Sequence, residues 1–344
     1  MVIAAWLSVG LRTYVRKHWI HKPRIKGVLR NNPIAAVYLY QDLTSATRKT
    51  APCYWLRASR QQYTQCRREP GLANVLNDSR FLTIQQCEDQ FRYDRWNCSH
   101  SKNMFKKVYR ETAFMHALNA ASITTMVSRA CAEGKLKKCH CSTKAKKNKI
   151  DGDDGNLAEN KWKWGGCGDN LQYGRRFVRK FLQLRAHSAD FQETILSHNS
   201  EVGIRTVASQ MRDVCKCHGV SGSCSIKTCW RRVPPLIITA TQLKKKYHRA
   251  MKFEFGNRAT RRAEPTNKKW PKGQLLYLEN SSTFCAVTPH RKCLNRMNCA
   301  TLCCGRGYYT KIVYENRNCN CRWKKKFEMI CDQCSFEIEE FTCK

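Results

Sequence analysis

The sequence predicts an α+β, disulfide-rich fold. A helical N-terminal domain carries a protruding β-hairpin, and a small cysteine-rich β domain with a second, long hairpin follows it. Three observations lead there. The chain holds 22 cysteines, an even number at tight spacings, which points to oxidised pairs in a secretory compartment or to metal sites. Apolar residues recur at helical spacing over two long N-terminal stretches. Two groups of cysteines are numbered like antiparallel hairpins, in which facing residues have a nearly constant sum.

At 344 residues the chain has room for two or three domains and a sizeable core. Residues 1–45 read as an atypical leader. The apolar run at 2–11 is broken by Ser8 and Gly10, and Arg12, Arg16 and Lys17 follow it, whereas a secretory leader carries its charges first. No stretch reaches about 18 apolar residues, so no transmembrane helix is expected. The expected units are a helical domain over 46–232, a basic linker over 233–274 and a cysteine-rich domain over 275–344.

Within the first unit, Leu72, Val75, Leu76, Phe81, Ile84, Cys87 and Phe91 keep helical spacing, and Cys87 with Cys98 can close a loop after that helix. Phe105, Val108, Tyr109, Ala113, Ala117, Ala120 and Val127 mark a second, alanine-rich helix, which Gly134 stops. These aromatics read as core rather than as a binding surface. The loop at 135–163 is basic and then acidic-glycine. It lacks the bidentate Glu and Asp ladder of an EF-hand, so it reads as solvated. Its expected staples are Cys131–Cys139 and Cys141–Cys167. Asp169 or Asn170 caps a third helix with Tyr173, Phe177, Phe181 and Leu184 on one face. A fourth is expected over 201–211.

That helix leads into Cys215-Lys-Cys-His-Gly-Val-Ser-Gly-Ser-Cys224, with Cys229-Trp230 beyond. The numbers 217 and 224 sum to 441, and 215 and 229 to 444. Two nested disulfides would therefore pin a hairpin over 215–229 that displays Val220, Ser221 and Gly222 at its tip. In the last unit, 319 with 334 and 321 with 331 sum to 653 and 652, which gives a second hairpin over 319–334 with its tip around Trp323 and Phe327. Ten cysteines fall between 285 and 344, in a segment too short for a large core.

The formal charge of +37 attracts polyanions. The cysteine-free stretch at 231–272 holds Lys244, Lys245, Lys246, Arg249, Lys252, Arg258, Arg261 and Arg262 among its cations. It is either a solvated linker or a polyanion contact. Enzyme chemistry is disfavoured, with no catalytic residue assigned. Gly219-Val-Ser-Gly-Ser223 lacks the second glycine and the strand-to-helix turn of a nucleophile elbow. No metal or other cofactor is expected, because Cys-x-Cys pairs suit hairpin rungs better than zinc knuckles. No RNA-binding aromatic signature appears, so nucleic acid is not an expected partner. The sequons at Asn77, Asn97 and Asn280 join the cysteines in favouring secretion to the extracellular space and matrix.

Several motifs together resemble the Wnt secreted signalling proteins. They are Gln90-Phe-Arg92, Arg95-Trp-Asn-Cys-Ser99, Trp164-Gly-Gly-Cys167, the Cys215–Cys224 run with Lys227-Thr-Cys-Trp230, Cys303-Cys-Gly-Arg-Gly307 and Thr342-Cys-Lys344. The resemblance covers about residues 50–344. It implies a palmitoleoyl ester on Ser221, added by a membrane-bound O-acyltransferase, and a carrier protein during secretion. It implies that the first hairpin is a thumb whose lipid enters the Frizzled cysteine-rich domain. The second is a finger on that domain's opposite side, and the 231–272 stretch helps bind an LDL-receptor-related co-receptor. The basic charge adds heparan sulfate. The resemblance also implies the pairs Cys285–Cys304, Cys293–Cys299, Cys303–Cys343 and Cys53–Cys66. The family's adjacent cysteines at the finger tip are missing here, where Lys324-Lys-Lys-Phe-Glu328 stands instead. The rival reading is a non-acylated, cysteine-rich matrix protein that binds polyanions.

Overall fold

The computed structural model describes residues 53, 56, 59–98, 105, 107–142, 166–184, 191–224, 227–253, 271–324 and 328–344. The expected leader, most of the 135–163 loop and Phe327 lie outside them.

The helical body is built around one buried helix. Helices α1 (Arg60–Arg67), α2 (Leu72–Gln90), α3 (Arg110–Ala132), α4 (Leu171–Phe181), α5 (Phe191–Ser209) and α6 (Leu236–His248) follow in order, and α2, α4, α5 and α6 all pack on α3. The α3 sequence explains its position. Ala113, Ala117, Ala120, Ala121, Ser122, Thr124 and Ser128 are small and fully or almost fully buried, so neighbouring backbones can come close. Two of its buried hydroxyls are satisfied within the helix, Thr124 donating to the Ala120 carbonyl at 2.7 Å and Ser128 to the Thr124 carbonyl at 2.6 Å, and Ser122 donates across to the Ser79 carbonyl at 2.9 Å. The tightest approach is at Gly203 of α5, where a Cβ would lie 2.0 Å from the Ala117 carbonyl oxygen. Only glycine fits that crossing.

The helix over 72–90 stands where the periodicity puts it; the alanine-rich helix begins only at Arg110, so Phe105, Val108 and Tyr109 precede it, and Gly134 follows its end at φ +67°. Asn170, not Asp169, caps α4: its Oδ1 accepts from the Tyr173 N–H at 2.9 Å. Tyr173, Phe177 and Phe181 stack along one side of α4, while Leu184 lies past its end. Two further elements differ. Helix α5 begins at Phe191 rather than 201 and ends at Ser209. The stretch expected as a linker contains α6, whose Leu236, Thr239, Ala240 and Leu243 are buried at i, i+3, i+4 and i+7. The lysine run that follows Leu243 masks that stripe in the composition.

Three two-stranded sheets complete the fold. Strand β1 (Arg212–Cys217) pairs antiparallel with β2 (Lys227–Arg232), and β3 (Met251–Lys252) pairs parallel with β4 (Leu276–Tyr277). Strand β5 (Tyr308–Lys324) pairs antiparallel with β6 (Glu328–Cys343). A short helix, α7 (Arg296–Leu302), packs on β6.

Ten disulfides are formed: Cys53–Cys66, Cys87–Cys98, Cys131–Cys139, Cys215–Cys229, Cys217–Cys224, Cys285–Cys304, Cys293–Cys299, Cys303–Cys343, Cys319–Cys334 and Cys321–Cys331. The expected Cys141–Cys167 pair is not among them, and both residues are free thiols. A backbone bridge between Ser142 and Gly168 already holds these segments side by side. The Cys167 thiol donates to the Ala132 carbonyl at 3.3 Å. Burial, and then the neighbouring Cys141, raise its pKa to about 11, so it stays protonated.

The C-terminal unit has a small core of Cys293, Cys299, Leu302, Cys303, Phe341 and Cys343. It is held to the helical body by hydrogen bonds to the backbone just after α2. The Arg291 guanidinium donates to the carbonyls of Asp94 at 2.7 Å, Arg95 at 2.9 Å and Arg92 at 2.7 Å. Asn298 donates to the Tyr93 carbonyl at 2.9 Å, and Arg95 donates back to the Thr301 carbonyl at 2.7 Å. On the other side of the same turn, Lys244 of α6 sits 3.3 Å from the Phe91 ring centre and pairs with Asp94.

Candidate functional site

The first hairpin leaves the body directly from α5 and returns directly into α6. Every pair in its ladder sums to 444, from Arg212 with Arg232 to Cys217 with Lys227. Cys215 and Cys229 are therefore directly opposed. Cys217–Cys224 lies beyond the ladder and closes the loop at the tip.

The tip is one compact turn. Gly219 N–H donates to the Ser223 carbonyl at 2.9 Å, Gly222 N–H to the Gly219 carbonyl at 3.0 Å and Ser223 N–H to the Val220 carbonyl at 3.1 Å. The turn places Ser221 in the left-handed region, at φ 56° and ψ 27°, which costs an L-residue about 1–2 kcal/mol. Gly222 follows at φ +77°. Val220, Ser221 and Gly222 are brought together here and are all exposed, Val220 at 89%. The Ser221 hydroxyl stands at the outer end of a covalently closed strand-turn-strand arm. That arrangement presents an alcohol to an incoming macromolecule.

The base of the arm is clamped by residues 166–170. Asp169 N–H donates to the Arg231 carbonyl at 2.9 Å, and Val233 N–H donates to Asp169 Oδ2 at 2.8 Å. Burial raises the Asp169 pKa, while the Val233 N–H, Arg232 and Arg129 act against that rise. Arg129 of α3 donates to the Pro234 carbonyl at 3.1 Å. A Cβ on Gly166 would lie 2.8 Å from the Trp230 ring, so this strand rests on bare backbone. Asp169 was legible in the sequence only as a helix cap. Its role at the hairpin base had no local signal.

The second hairpin is longer. Its ladder sums to 651 up to Cys319 with Asp332, then shifts to 652 from Arg322 with Ile330. Asn320, at φ 47°, occupies the irregularity between them. Cys319–Cys334 thus crosses the ladder diagonally, while Cys321–Cys331 spans it near the tip. Trp323 faces Met329 across the last rungs and is 72% exposed. Arg322, Lys324 and Glu328 surround it in solvent.

The sequons differ in presentation. Asn280 is exposed in an irregular segment. Asn97 is half-buried beside the Cys87–Cys98 bond. Asn77 lies inside α2, and its Ser79 is buried and donates to Ser122 Oγ at 3.0 Å. The sulfurs of Cys293, Cys303 and Cys343 cluster within 4.8 Å. They belong to the Cys293–Cys299 and Cys303–Cys343 disulfides and offer no thiolate to a metal. No helix among the described residues is long and apolar enough to cross a membrane.

Residues 55–344 match the model of the wnt family. The chain is 45% identical over 318 residues to Protein Wnt-4 of Drosophila melanogaster, across 88% of this chain and 57% of that protein. It is 37% identical over 311 residues to Protein Wnt-9b of Homo sapiens, across 85% of each. The chain thus spans little more than half of the first relative and most of the second. Among solved structures it is similar to a chain of the human WLS complex with WNT8A. The TM-score is 0.53 at 27% identity, covering 79% of this chain and 94% of that one.

Proposed function

The chain belongs to the Wnt family of secreted signalling proteins, and from that premise we propose that it is a ligand acylated on Ser221 for Frizzled-type receptors. A palmitoleoyl ester there, added by a membrane-bound O-acyltransferase, enters a groove of the Frizzled cysteine-rich domain. The observation that carries this is the tip geometry: an exposed hydroxyl at the end of a hairpin closed by Cys215–Cys229 and Cys217–Cys224. Burying the acyl chain contributes up to roughly 10 kcal/mol, at about 0.8 kcal/mol per CH₂. Affinity then depends on the lipid more than on side chains around it, which suits a tip of Gly and Ser.

The second hairpin grips the opposite side of the same receptor domain through Trp323 and Phe327. The missing vicinal cysteines make its tip more cationic than the family pattern. An LDL-receptor-related co-receptor engages the segment after the thumb. A carrier of the WLS kind shields the acyl chain during secretion. Heparan sulfate retains the protein in the extracellular matrix, and glycosylation falls on exposed Asn280 and on Asn97 more readily than on Asn77.

Intact-mass analysis of secreted wild-type and Ser221→Ala protein tests the central claim. The wild type should carry the mass of one unsaturated acyl chain and bind the Frizzled domain far more tightly. If the masses differ only by the substitution itself and the affinities agree, the acylated-ligand reading fails.

A further inference from the structure

We propose that the outward face of α1 and α4 is a binding site for a sulfated glycosaminoglycan chain. The sequence drew attention elsewhere, to the basic stretch at 231–272. Its described cations are partly engaged within the fold. Lys244 lies on Phe91 and Asp94, and Lys246 donates to the Gly273 carbonyl at 2.6 Å.

Helices α1 and α4 differ. They are tied side by side, with Gln61 donating to the Lys180 carbonyl at 3.3 Å and Gln62 to the Phe181 carbonyl at 3.0 Å. Their inner faces bury Gln62, Cys66, Gly174, Val178 and Phe181. Their outer faces expose Arg60, Arg67 and Arg68 on one side and Arg176 and Lys180 on the other. Arg60 and Arg67 are two turns apart on one face, about 10 Å along the axis, and Arg176 and Lys180 one turn apart, about 6 Å. Lys138 Nζ, which reaches the Arg68 carbonyl at 3.0 Å, extends the α1 group.

None of these five cations makes an ion pair among the described residues. Glu69, next to Arg68 in sequence, is 5% exposed and already accepts from the Lys137 and Lys138 backbone N–H groups. The result is a group of four guanidinium forks and one ammonium without carboxylate partners among the described residues, which suits the sulfate groups of an extended polyanion. A membrane surface is disfavoured by the same face. No large apolar side chain is exposed on α1 or α4 among the described residues, so nothing there would insert between lipids.

This proposal rests on the secreted-ligand reading only for its extracellular setting. The test uses full-length secreted protein and a heparin oligosaccharide over a salt series. One variant carries Arg60→Gln, Arg67→Gln, Arg176→Gln and Lys180→Gln. A control removes four cations from the two hairpins: Lys216→Gln, Lys227→Gln, Lys311→Gln and Arg322→Gln. The site variant should lose roughly tenfold or more in affinity at physiological salt. Its log–log salt slope should shallow by roughly 0.7–0.9 per lost contact, and the control should change much less. Arg67→Gln and Lys180→Gln alone should each reproduce part of the loss, which guards against a folding defect in the quadruple variant. Equal losses in site variant and control would reduce the effect to net charge and overturn the proposal. So would an unchanged site variant, or phosphatidylserine vesicles that bind the wild type through these residues while heparin does not. Ser221→Ala should leave heparin affinity unchanged, so the glycan site and the acylation stand or fall separately.

Discussion

Replacing both Cys217 and Cys224 with alanine should loosen the Ser221 turn without opening the hairpin below it. The bond closes a loop of sequence separation 7. The chain-entropy relation assigns such a loop about 2.4 kcal/mol. That exceeds the roughly 1–2 kcal/mol cost of holding Ser221 left-handed. Without the bond, the turn depends on three backbone hydrogen bonds at a solvent-exposed tip, each worth about 1 kcal/mol net. Open conformations should therefore rise by up to about 50-fold. Amide hydrogen exchange on the secreted protein reads this directly. The Gly219, Gly222 and Ser223 amides donate within the turn and should exchange up to about 50 times faster. Lys216 and Thr228 flank the directly opposed Cys215–Cys229 pair and should keep their rates. Incorporation of a clickable palmitoleate analogue should fall together with turn protection. Unchanged exchange at the three tip amides would refute the reasoning, because the turn would then be held by its own hydrogen bonds.

Arg291→Ala should weaken the docking of the C-terminal unit by about 2–4 kcal/mol, since charge-assisted bonds to three carbonyls are lost. Limited proteolysis between residues 285 and 306 should accelerate. Arg291→Lys should recover only part of the protection, because an ammonium lacks the guanidinium fork; full recovery would show that charge alone holds the clasp. The protein should also lose stability on mild acidification. His116 is buried on α3, and burial lowers its pKa from 6.5 to about 4 in the folded state. The unfolded chain takes up a proton below about 6.5 and the folded chain does so only near 4. Stability is therefore fully present above about 6.5 and falls by about 3 kcal/mol on the way to 4. Urea midpoints across that range measure the slope, and His116→Gln should flatten it. An equally steep slope in the variant would assign the effect to other groups.

The two arms were legible in the sequence because hairpin pairing is arithmetic. Cys215 and Cys229, which sum to 444, lie on an observed rung, Cys321 and Cys331 fall in the irregularity just before the rungs that sum to 652, and the diagonal Cys319–Cys334 bond departs from its ladder by two. Helices α2 and α3 were legible because a buried face imposes its period on Leu72, Val75, Leu76 and Cys87, and on a run of alanines. Helix α6 was hidden because its buried stripe of Leu236, Thr239, Ala240 and Leu243 runs straight into Lys244–Lys246, and charge dominated the composition. The basic face of α1 and α4 escaped for the opposite reason: its cations lie more than 100 positions apart and meet only in the fold.

The placement of the arms belongs to the same class of long-range fact. The thumb base is set by Asp169 and Arg129, which reach the backbone of Arg231, Val233 and Pro234. The finger's unit is set by Arg291, which reaches backbone about 200 residues earlier. Each clasp is polar, directed at carbonyl or amide groups, and free of any repeating pattern. A hydrophobic interface would tolerate sliding, because burial is proportional to area and has little direction. Hydrogen bonds from a guanidinium or to a carboxylate do not tolerate it, since they fail within a few tenths of an ångström or about 30°. The two-sided receptor grip proposed above would need a fixed angle between the two arms. Directional clasps at both bases would supply that angle, and the disulfides near both tips would keep each arm in shape.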